Sequence, residues 1–331
     1  MKKKVLMPTA VLLSFGTASL LISCQPKVEK QDTRTNPSAD PTAIKISSAV
    51  ESKKEWVLPA GYPEGALGKQ ITYGEQLISN TAHYLGPDVN PPHMRIAGNH
   101  LSCKNCHLQA GKQANAIGFV GVSHRYPKYR GREDKVASLS QRINGCFQRS
   151  LNGKPLPEDS AEMQAILAYM NWLSEGVDAE VNGSSLPKLD FIDRAANPET
   201  GKAIYVQQCS VCHGKAGQGI PKQAQKLSEG YTFPPLWGND SYNDGAGMHR
   251  VRTAAQFIHA NMPLGNAKLS VEEAYDVSAY INSQPRPHKP HREKDYPNLT
   301  KKPVDTPYGP YADSFSEQEH KYGPFGKMKK Q

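Results

Sequence analysis

Two short stretches of the sequence place two thiols and an imidazole at the same spacing. CKNCH occupies positions 103–107, and CSVCH occupies positions 209–213. This pattern is typical of covalent attachment of a c-type haem, in which the thiols bond the vinyl groups and the imidazole binds the iron. The attachment cysteines are Cys103, Cys106, Cys209 and Cys212, and the proximal histidines are His107 and His213. The sequence therefore predicts two covalently bound c-type haems.

Two other uses of paired cysteines fit the chain less well. A zinc site would need further cysteine or histidine residues at finger spacing. A dithiol redox motif would need a strand–helix–strand context, and the sequence has no alternating strand pattern around either motif. Each motif instead precedes its own amphipathic helix, which favours the haem interpretation.

The second axial ligand of each iron is less evident from the sequence. For the second haem, Met262 in NMPLG is preferred and Met248 in GAGMHR is the alternative, because a thioether raises the reduction potential. For the first haem, Cys146 follows His107 by 39 residues. Its thiol is either a small buried apolar group, an intermolecular disulfide partner or a thiolate ligand of the iron. Weaker candidates for the first iron are His93, His100 and His124.

The N-terminus has the features of an export signal. A positively charged MKKK precedes an apolar run that ends in LISC at 21–24, which resembles a bacterial lipoprotein signal with a lipidated Cys24. An ordinary cleaved signal or an uncleaved anchor is the alternative. We expect residues 1–24 to be the signal and residues 25–60 to form a flexible tether. The protein is then exported and membrane-anchored on the periplasmic side, and Gln25 favours the outer membrane where the cell has one.

Basic residues concentrate around the first motif. Between positions 104 and 154 there are ten lysines and arginines against two acids, Glu133 and Asp134, in a chain of net charge +9. The run is typical of a solvated basic face, of a site for a small dianion or of contact with an anionic membrane. A positive cluster would also lower the pKa of the thiol at Cys146. The export signal and the lack of a recognition module exclude nucleic acid as the partner.

Helical periodicity beyond the motifs predicts an all-α fold with two cytochrome c-type domains. We place the first domain at 61–185, the second domain at 186–285 and an irregular tail at 286–331. An apolar stripe from Met163 to Leu173 closes the first domain. A capping box at Ser270 and Glu273 starts the helix that closes the second. These two helices share similar tetrapeptides, AYMN and AYIN, which indicates an internal repeat.

Four longer stretches resemble one family of enzymes. They are NHLSCKNCHLQAG, SHRYPKYRGREDKVASLSQRINGCFQRSLNGKPL, FPPLWGNDSYNDGAGMHRVRTAAQFIHANMPLG and YGPYADSFSEQEHKYGPFG. Together they resemble the dihaem thiosulfate dehydrogenases, also described as tetrathionate reductases. The resemblance implies a catalytic first haem ligated by His107 and Cys146, and a second haem with His213 and Met262 that passes electrons outward. The substrate-binding residues that it implies are Arg132, Arg142, Ser150 and Lys154.

The expected reaction joins two thiosulfate ions into tetrathionate, or runs in reverse, with a small cytochrome c or a membrane protein as the redox partner. The sequence leaves the direction open because both reactions use one site. The first alternative is an electron-transfer cytochrome without its own substrate. A dihaem peroxidase and another sulfur-oxidising haem–thiolate cytochrome are the others.

Overall fold

The computed structural model describes residues 56–183 and 185–328. Cys24 and residues 25–55 of the expected tether lie outside the described residues. Within the described part, each helix is too short or too polar to cross a membrane.

Four α-helices and a small hairpin form the first half of the described chain. The helices are α1 (Gly65–Ser79), α2 (Thr81–Leu85), α3 (Leu139–Arg149) and α4 (Ala161–Trp172), and the antiparallel strands are β1 (Lys128–Arg130) and β2 (Lys135–Ala137). The 3-10 turns between them are Pro92–Met94, Cys103–Asn105, Leu108–Gly111 and Ser123–Arg125. The first Cys-x-x-Cys-His motif therefore begins in a 3-10 turn and not in an α-helix.

The second half is again mainly helical. It contains α5 (Pro198–Ile204), a π-helical turn (Tyr205–Cys209), α6 (Ser210–His213), α7 (Val251–Asn261) and α8 (Val271–Ser283). The short strands β3 (Ile220–Pro221) and β4 (Tyr231–Phe233) pair antiparallel, and 3-10 turns lie at Leu227–Glu229 and Gly247–His249. The expected capping box of Ser270 and Glu273 is confirmed at the start of α8, and Asn197 caps α5 with Pro198 in its first turn.

The same close contact between two helices occurs in both halves. Gly74 of α1 lies so close to α4 that a Cβ there would be 2.0 Å from the carbonyl oxygen of Ala165. Gly201 of α5 lies in the same way against α8, and its Cβ would be 1.9 Å from the carbonyl oxygen of Asp276. Both contacted carbonyls lie four residues before the tyrosine of AYMN or AYIN. Glycine is required at both positions because the backbones touch there.

Each half has its own apolar core. The first core includes Ile71, Leu77, Met163 and Tyr169, and the second includes Tyr205, Val251, Tyr275 and Val277. The cores contain the inward faces of α1 with α4 and of α5 with α7 and α8. They fix the two loops that carry the Cys-x-x-Cys-His motifs.

The C-terminal tail is more ordered than we expected from its composition. It has 3-10 turns at Arg292–Lys294 and Leu299–Lys301 and two short helices, α9 (Glu317–Tyr322) and α10 (Phe325–Met328). Ser316 and Glu319 form a capping box that starts α9. Phe325 and Met328 are buried in the second core, so the end of the tail is part of that core.

Candidate active site

A cavity of about 510 Å³ lies between the first motif and α3. Cys103, Cys106 and His107 line one side of it, and Cys146 lines another. The basic and hydroxyl side chains on its wall are Arg125, Tyr126, Lys128, Arg130, Arg132, Arg142, Arg149, Ser150, Ser185 and Thr253. A cavity of this size accepts a cofactor or a small organic ligand, and its wall is strongly positive.

Helix α3 brings the predicted cysteine into this cavity because of its residue spacing. Arg142 and Cys146 are four residues apart, and Ser150 at the helix end is four further on, so all three share one face. Leu139, Ile143 and Phe147 are buried on the side of the helix that packs in the first core. The helix begins with a capping box in which the Ser138 hydroxyl accepts a hydrogen bond from the Gln141 amide.

The thiol of Cys146 has strongly charged surroundings. The Nη1 group of Arg142 donates to its sulfur over 2.7 Å. Burial alone would raise the pKa of Cys146, but Arg142 and the nearby His107 outweigh burial and lower that pKa to about 6. The sulfur is therefore a thiolate at neutral pH, the form that binds metals and attacks sulfur.

Both motif histidines are oriented in the same way. The Nδ1 atom of His107 pairs with the carbonyl oxygen of Ile117 at 2.5 Å, and Nδ1 of His213 pairs with that of Pro234 at 2.8 Å. A carbonyl only accepts, so Nδ1 carries a proton and Nε2 is the ring nitrogen that remains for a metal. This is the arrangement that metal-binding histidines use.

A second cavity, of about 490 Å³, lies beside the second motif. Cys209, Cys212 and His213 line it together with Met248 and Met262. Met262 follows α7 directly, and its amide still donates to the carbonyl of Ile258, which fixes its position at the helix end. The walls are mainly aliphatic and aromatic, from residues such as Phe233, Phe257, Ile258 and Leu269. Cys106 and Met248 line both cavities, so the two sites are neighbours.

The donor groups of each cavity fit a c-type haem. Each has two thiols, an imidazole whose Nε2 remains for a metal and at least one further sulfur. In the first cavity, Gly145 of α3 also lines the wall, and the position of a Cβ there has no protein atom within 4 Å. A flat group therefore has room to approach the helix backbone beside Cys146.

The other predicted residues have different placements. Arg132 and Ser150, which the resemblance implied as substrate-binding residues, line the first cavity. Lys154 is exposed and lies outside the lining of both cavities, with its amide bonded to the carbonyl of Ile96. His93 is exposed, His100 pairs with Asp88 and Asp240, and His124 pairs with the carbonyl of Ser174. The structure therefore gives these three weaker candidates other environments than the first cavity.

Sequence reasoning missed Arg149 and the tail residue that holds it. Arg149 was part of the basic run but carried no individual signal. Its Nη2 donates to Asp295 over 2.6 Å, and Asp295 lies 146 residues further along the chain. A pattern of local spacing cannot detect such a pair.

Comparison with known proteins identifies the family. Residues 95–179 match the family described as SoxA/TsdA, cytochrome c domain, and residues 198–285 match the cytochrome c family. The thiosulfate dehydrogenase of Stutzerimonas stutzeri is 43% identical over 231 residues, which cover 69% of this chain and 71% of that protein. That of Allochromatium vinosum is 43% identical over 232 residues, covering 68% and 81%. The chain belongs to the thiosulfate dehydrogenase family.

A solved structure agrees with this assignment. It is titled thiosulfate dehydrogenase (TsdBA) from Marichromatium purpuratum in the "as isolated" form, with a TM-score of 0.65 and 35% identity. The match covers 72% of this chain and 51% of that one, so this chain spans about half the length of the solved protein.

Membership of the thiosulfate dehydrogenase family confirms several predictions. The fold is all-α with two cytochrome c domains, and the chain carries two covalently bound c-type haems. The chain is an oxidoreductase of this family. The expected resemblance is thereby confirmed.

Proposed function

We propose that this thiosulfate dehydrogenase family member oxidises two thiosulfate ions to one tetrathionate ion with release of two electrons. Named relatives that are 36–43% identical support thiosulfate as the substrate. The observation that carries the proposal is the Cys146 thiolate, hydrogen-bonded to Arg142 in an arginine-lined cavity beside the first motif. A plain electron carrier needs neither this thiolate nor a positive cavity.

The positive charge on the cavity wall offsets the repulsion between two thiosulfate ions. Thiosulfate is a dianion, and two of them repel each other when their outer sulfurs approach. Arg132 and Arg142 place fixed positive charge on the wall of the cavity, and the Ser150 hydroxyl offers a hydrogen-bond donor. Preorganised charges in a site with little water stabilise such an encounter far better than bulk solvent does. Lys154 is too far outside the lining to share this role in the described geometry.

We assign His107 and Cys146 as ligands of the first iron, and His213 and Met262 as ligands of the second. Cys103 with Cys106, and Cys209 with Cys212, attach the porphyrins. The two haems supply one-electron acceptors, so together they hold the two electrons that the reaction releases. A thiolate ligand from Cys146 would lower the reduction potential of the first iron and a thioether ligand from Met262 would raise that of the second, which would favour electron flow outward to a small cytochrome c.

The sulfur of Cys146 has a second role in this proposal. It would leave the first iron and bond the outer sulfur of one thiosulfate. The Cys146 thiolate and that thiosulfate would together give up two electrons as the S–S bond forms, and the two haems would be the acceptors. The outer sulfur of a second thiosulfate then attacks the thiosulfate-derived sulfur of this adduct. Tetrathionate leaves, and the Cys146 thiolate is restored, as in thiol–disulfide exchange. Arg142 stabilises that thiolate as the leaving group.

The location of the protein follows from the same proposal. Cytochrome c domains are typically exported, which agrees with the expected signal at residues 1–24. We propose that Cys24 is lipidated and that the tether expected at 25–60 holds the catalytic domain, 61–185, and the electron-transfer domain, 186–285, near a respiratory partner in the membrane. The last residues of that tether belong to the folded part, because Trp56 packs on the first core and donates to the carbonyl of Lys112 over 3.0 Å. The reverse reaction, reduction of tetrathionate, uses the same residues.

The direct test mixes the purified dihaem protein with thiosulfate and ferricyanide. We expect ferricyanide reduction and tetrathionate formation at two ferricyanide ions per tetrathionate. Tetrathionate with a reduced dye measures the reverse direction. Absence of turnover in both directions, with haems that still reduce and reoxidise, would instead establish a cytochrome without its own substrate.

A further inference from the structure

Arg149 is a buried cation with unused hydrogen-bond donors beside the first cavity. It lines that cavity at the last turn of α3, and its side chain is 12% exposed. Its Nη2 group donates to Asp295, but the Nε and Nη1 groups are buried without an acceptor in the described residues. Because a guanidinium has five N–H donors, three of them face no protein acceptor. Buried donors of this kind usually have a partner.

The carboxylate of Asp295 holds Arg149 from the C-terminal tail. Its Oδ1 accepts from Arg149, and its Oδ2 accepts from the Tyr308 hydroxyl over 2.9 Å. Arg132 also approaches Oδ2, at 3.8 Å, and the amide of Tyr296 donates to the carbonyl of Arg132 over 2.8 Å. One tail segment therefore fixes two of the arginines that line the cavity.

The remaining contacts keep both guanidinium groups in place. Nη1 of Arg132 donates to the carbonyl of Gly245 over 2.7 Å, and a Cβ at Gly245 would lie 2.9 Å from Nη1 of Arg149. The two arginines thus flank a glycine that leaves just enough space for them. With one carboxylate against two guanidinium groups, the cluster keeps a net positive charge at the cavity wall.

We infer that Arg149 binds the sulfonate oxygens of thiosulfate and that Asp295 is its positioning residue, so that the tail is part of the substrate site. The inference rests on the proposed function, because it takes thiosulfate as the anion. The sulfonate oxygens of thiosulfate accept hydrogen bonds, and Nε and Nη1 of Arg149 carry donors that have no acceptor among the described residues. A guanidinium held in one orientation binds such oxoanions with two parallel hydrogen bonds, and a lysine cannot do so.

Substitution of Arg149 tests the binding role. We expect Arg149→Gln to raise the KM for thiosulfate by about 10- to 100-fold with a smaller change in kcat, since it removes a charge-assisted fork from binding. Arg149→Lys keeps the charge and loses the fork, so its KM should lie between those of the wild type and Arg149→Gln. Steady-state kinetics with ferricyanide on the dihaem protein gives both constants. A KM unchanged in both variants overturns the inference.

Asp295→Asn separates positioning from simple electrostatics. This change removes a negative charge, so charge alone would lower the KM for a dianion. If Asp295 instead positions the Arg149 guanidinium, Asp295→Asn should raise the KM by about 10-fold, the effect of one misplaced charged hydrogen-bond partner. Asp295→Glu keeps the carboxylate and should bring the KM part of the way back to the wild-type value. A KM for Asp295→Asn that falls or stays the same overturns the role of Asp295.

A matched control addresses general weakening of the tail. Asp305 is also buried in the tail and pairs with Arg250, which lies outside the lining of the first cavity. Asp305→Asn should lower the Tm and leave the KM for thiosulfate unchanged. A KM increase in Asp305→Asn equal to that in Asp295→Asn overturns the specific inference. Wild-type protein that fails to turn over thiosulfate overturns the proposed function itself, which distinguishes the two failures.

Discussion

Three cysteines line the first cavity, and their thiols have different pKa values. Before a haem is attached, burial raises the pKa of Cys103 to about 11 and that of Cys106 to about 12, so both are neutral thiols in the haem-free polypeptide. Cys146 is also buried, but its pKa is lowered to about 6 by Arg142 and His107. The guanidinium of Arg142 and the imidazole of His107 therefore decide which sulfur is the reactive thiolate.

Replacement of Cys146 by methionine tests its role at the first iron. We expect Cys146→Met to raise the reduction potential of the first haem, because a neutral thioether replaces an anionic thiolate. Thiosulfate turnover should fall at least about 100-fold, since methionine cannot form the S–S adduct. Potentiometric titration and the ferricyanide assay measure the two effects. Full turnover in Cys146→Met would exclude both the adduct and a need for the low potential.

Two methionines near the second motif are candidate ligands of the second iron, and separate variants distinguish them. Met262 is fixed at the end of α7, and Met248 lines both cavities. We expect Met262→Leu to lower the potential of the second haem and to abolish the charge-transfer band of a methionine–iron bond. Met248→Leu is the matched control and should keep that band. Loss of the band in Met248→Leu alone would assign the ligand to Met248 instead.

At the scale of secondary-structure elements, local sequence signals predicted helices well. The capping box of Ser270 and Glu273 and the apolar stripe of α4 depend on spacings of three and four residues, and α8 and α4 start within a turn of the expected positions. The α3 face that combines Arg142, Cys146 and Ser150 also follows from its four-residue spacing once the helix is known.

The tail could not be predicted in this way. Its Pro-, Lys- and Tyr-rich composition suggested irregular surface structure, yet Phe325 is 1% exposed in the second core. Asp295 meets Arg149 across 146 residues of sequence. Such contacts depend on the assembled three-dimensional fold and leave no local periodicity, so only the structure reveals them.

The burial of Phe325 leads to a stability prediction for α10. Its ring contacts Tyr275 and Phe191, with ring centroids 6.3 Å and 6.0 Å away. Phe325→Ala should destabilise the dihaem protein by about 3–5 kcal/mol, because it removes buried area and leaves a cavity. Lys327→Ala, at an exposed position in the same helix, should change stability by less than about 0.5 kcal/mol. Thermal melting followed by circular dichroism compares them, and an unchanged Tm in Phe325→Ala would contradict burial of the tail.

At the scale of the whole molecule, polar contacts join the two haem-bearing halves. The Asn99 amide donates to the carbonyl of Ser241 over 3.1 Å, and the Asn243 amide donates to that of Gln148 over 2.9 Å. Ser241 and Asn243 flank Tyr242, which lines the second cavity, and Gln148 precedes Arg149, which lines the first. Buried hydrogen bonds are directional, so they fix the relative position of the halves more sharply than apolar packing does.

His100 adds a titratable contact between the halves. Its Nδ1 is 2.9 Å from Asp240, its Nε2 is 2.9 Å from Asp88, and Asp240 also accepts from the Tyr231 hydroxyl. The hydrogen bond to Asp240 raises the pKa of His100 above its ordinary 6.5, although burial opposes this. Protonated His100 therefore favours the folded state. Its contribution is complete below about pH 6.5 and is lost as the pH rises through the raised folded-state pKa.

The pH dependence of stability tests this contact in the intact dihaem protein. The Tm difference between wild type and His100→Gln should be largest near pH 5, where the charged hydrogen bonds contribute about 1 kcal/mol, and should shrink towards pH 9. His83→Gln is the control, because His83 is more exposed and pairs with Glu229 at a longer 3.3 Å. A difference for His100→Gln that stays constant from about pH 5 to about pH 9 would mean that only the neutral ring packs between the halves. A difference that shrinks as the pH rises assigns the charged form of His100 to the junction that holds the two halves together.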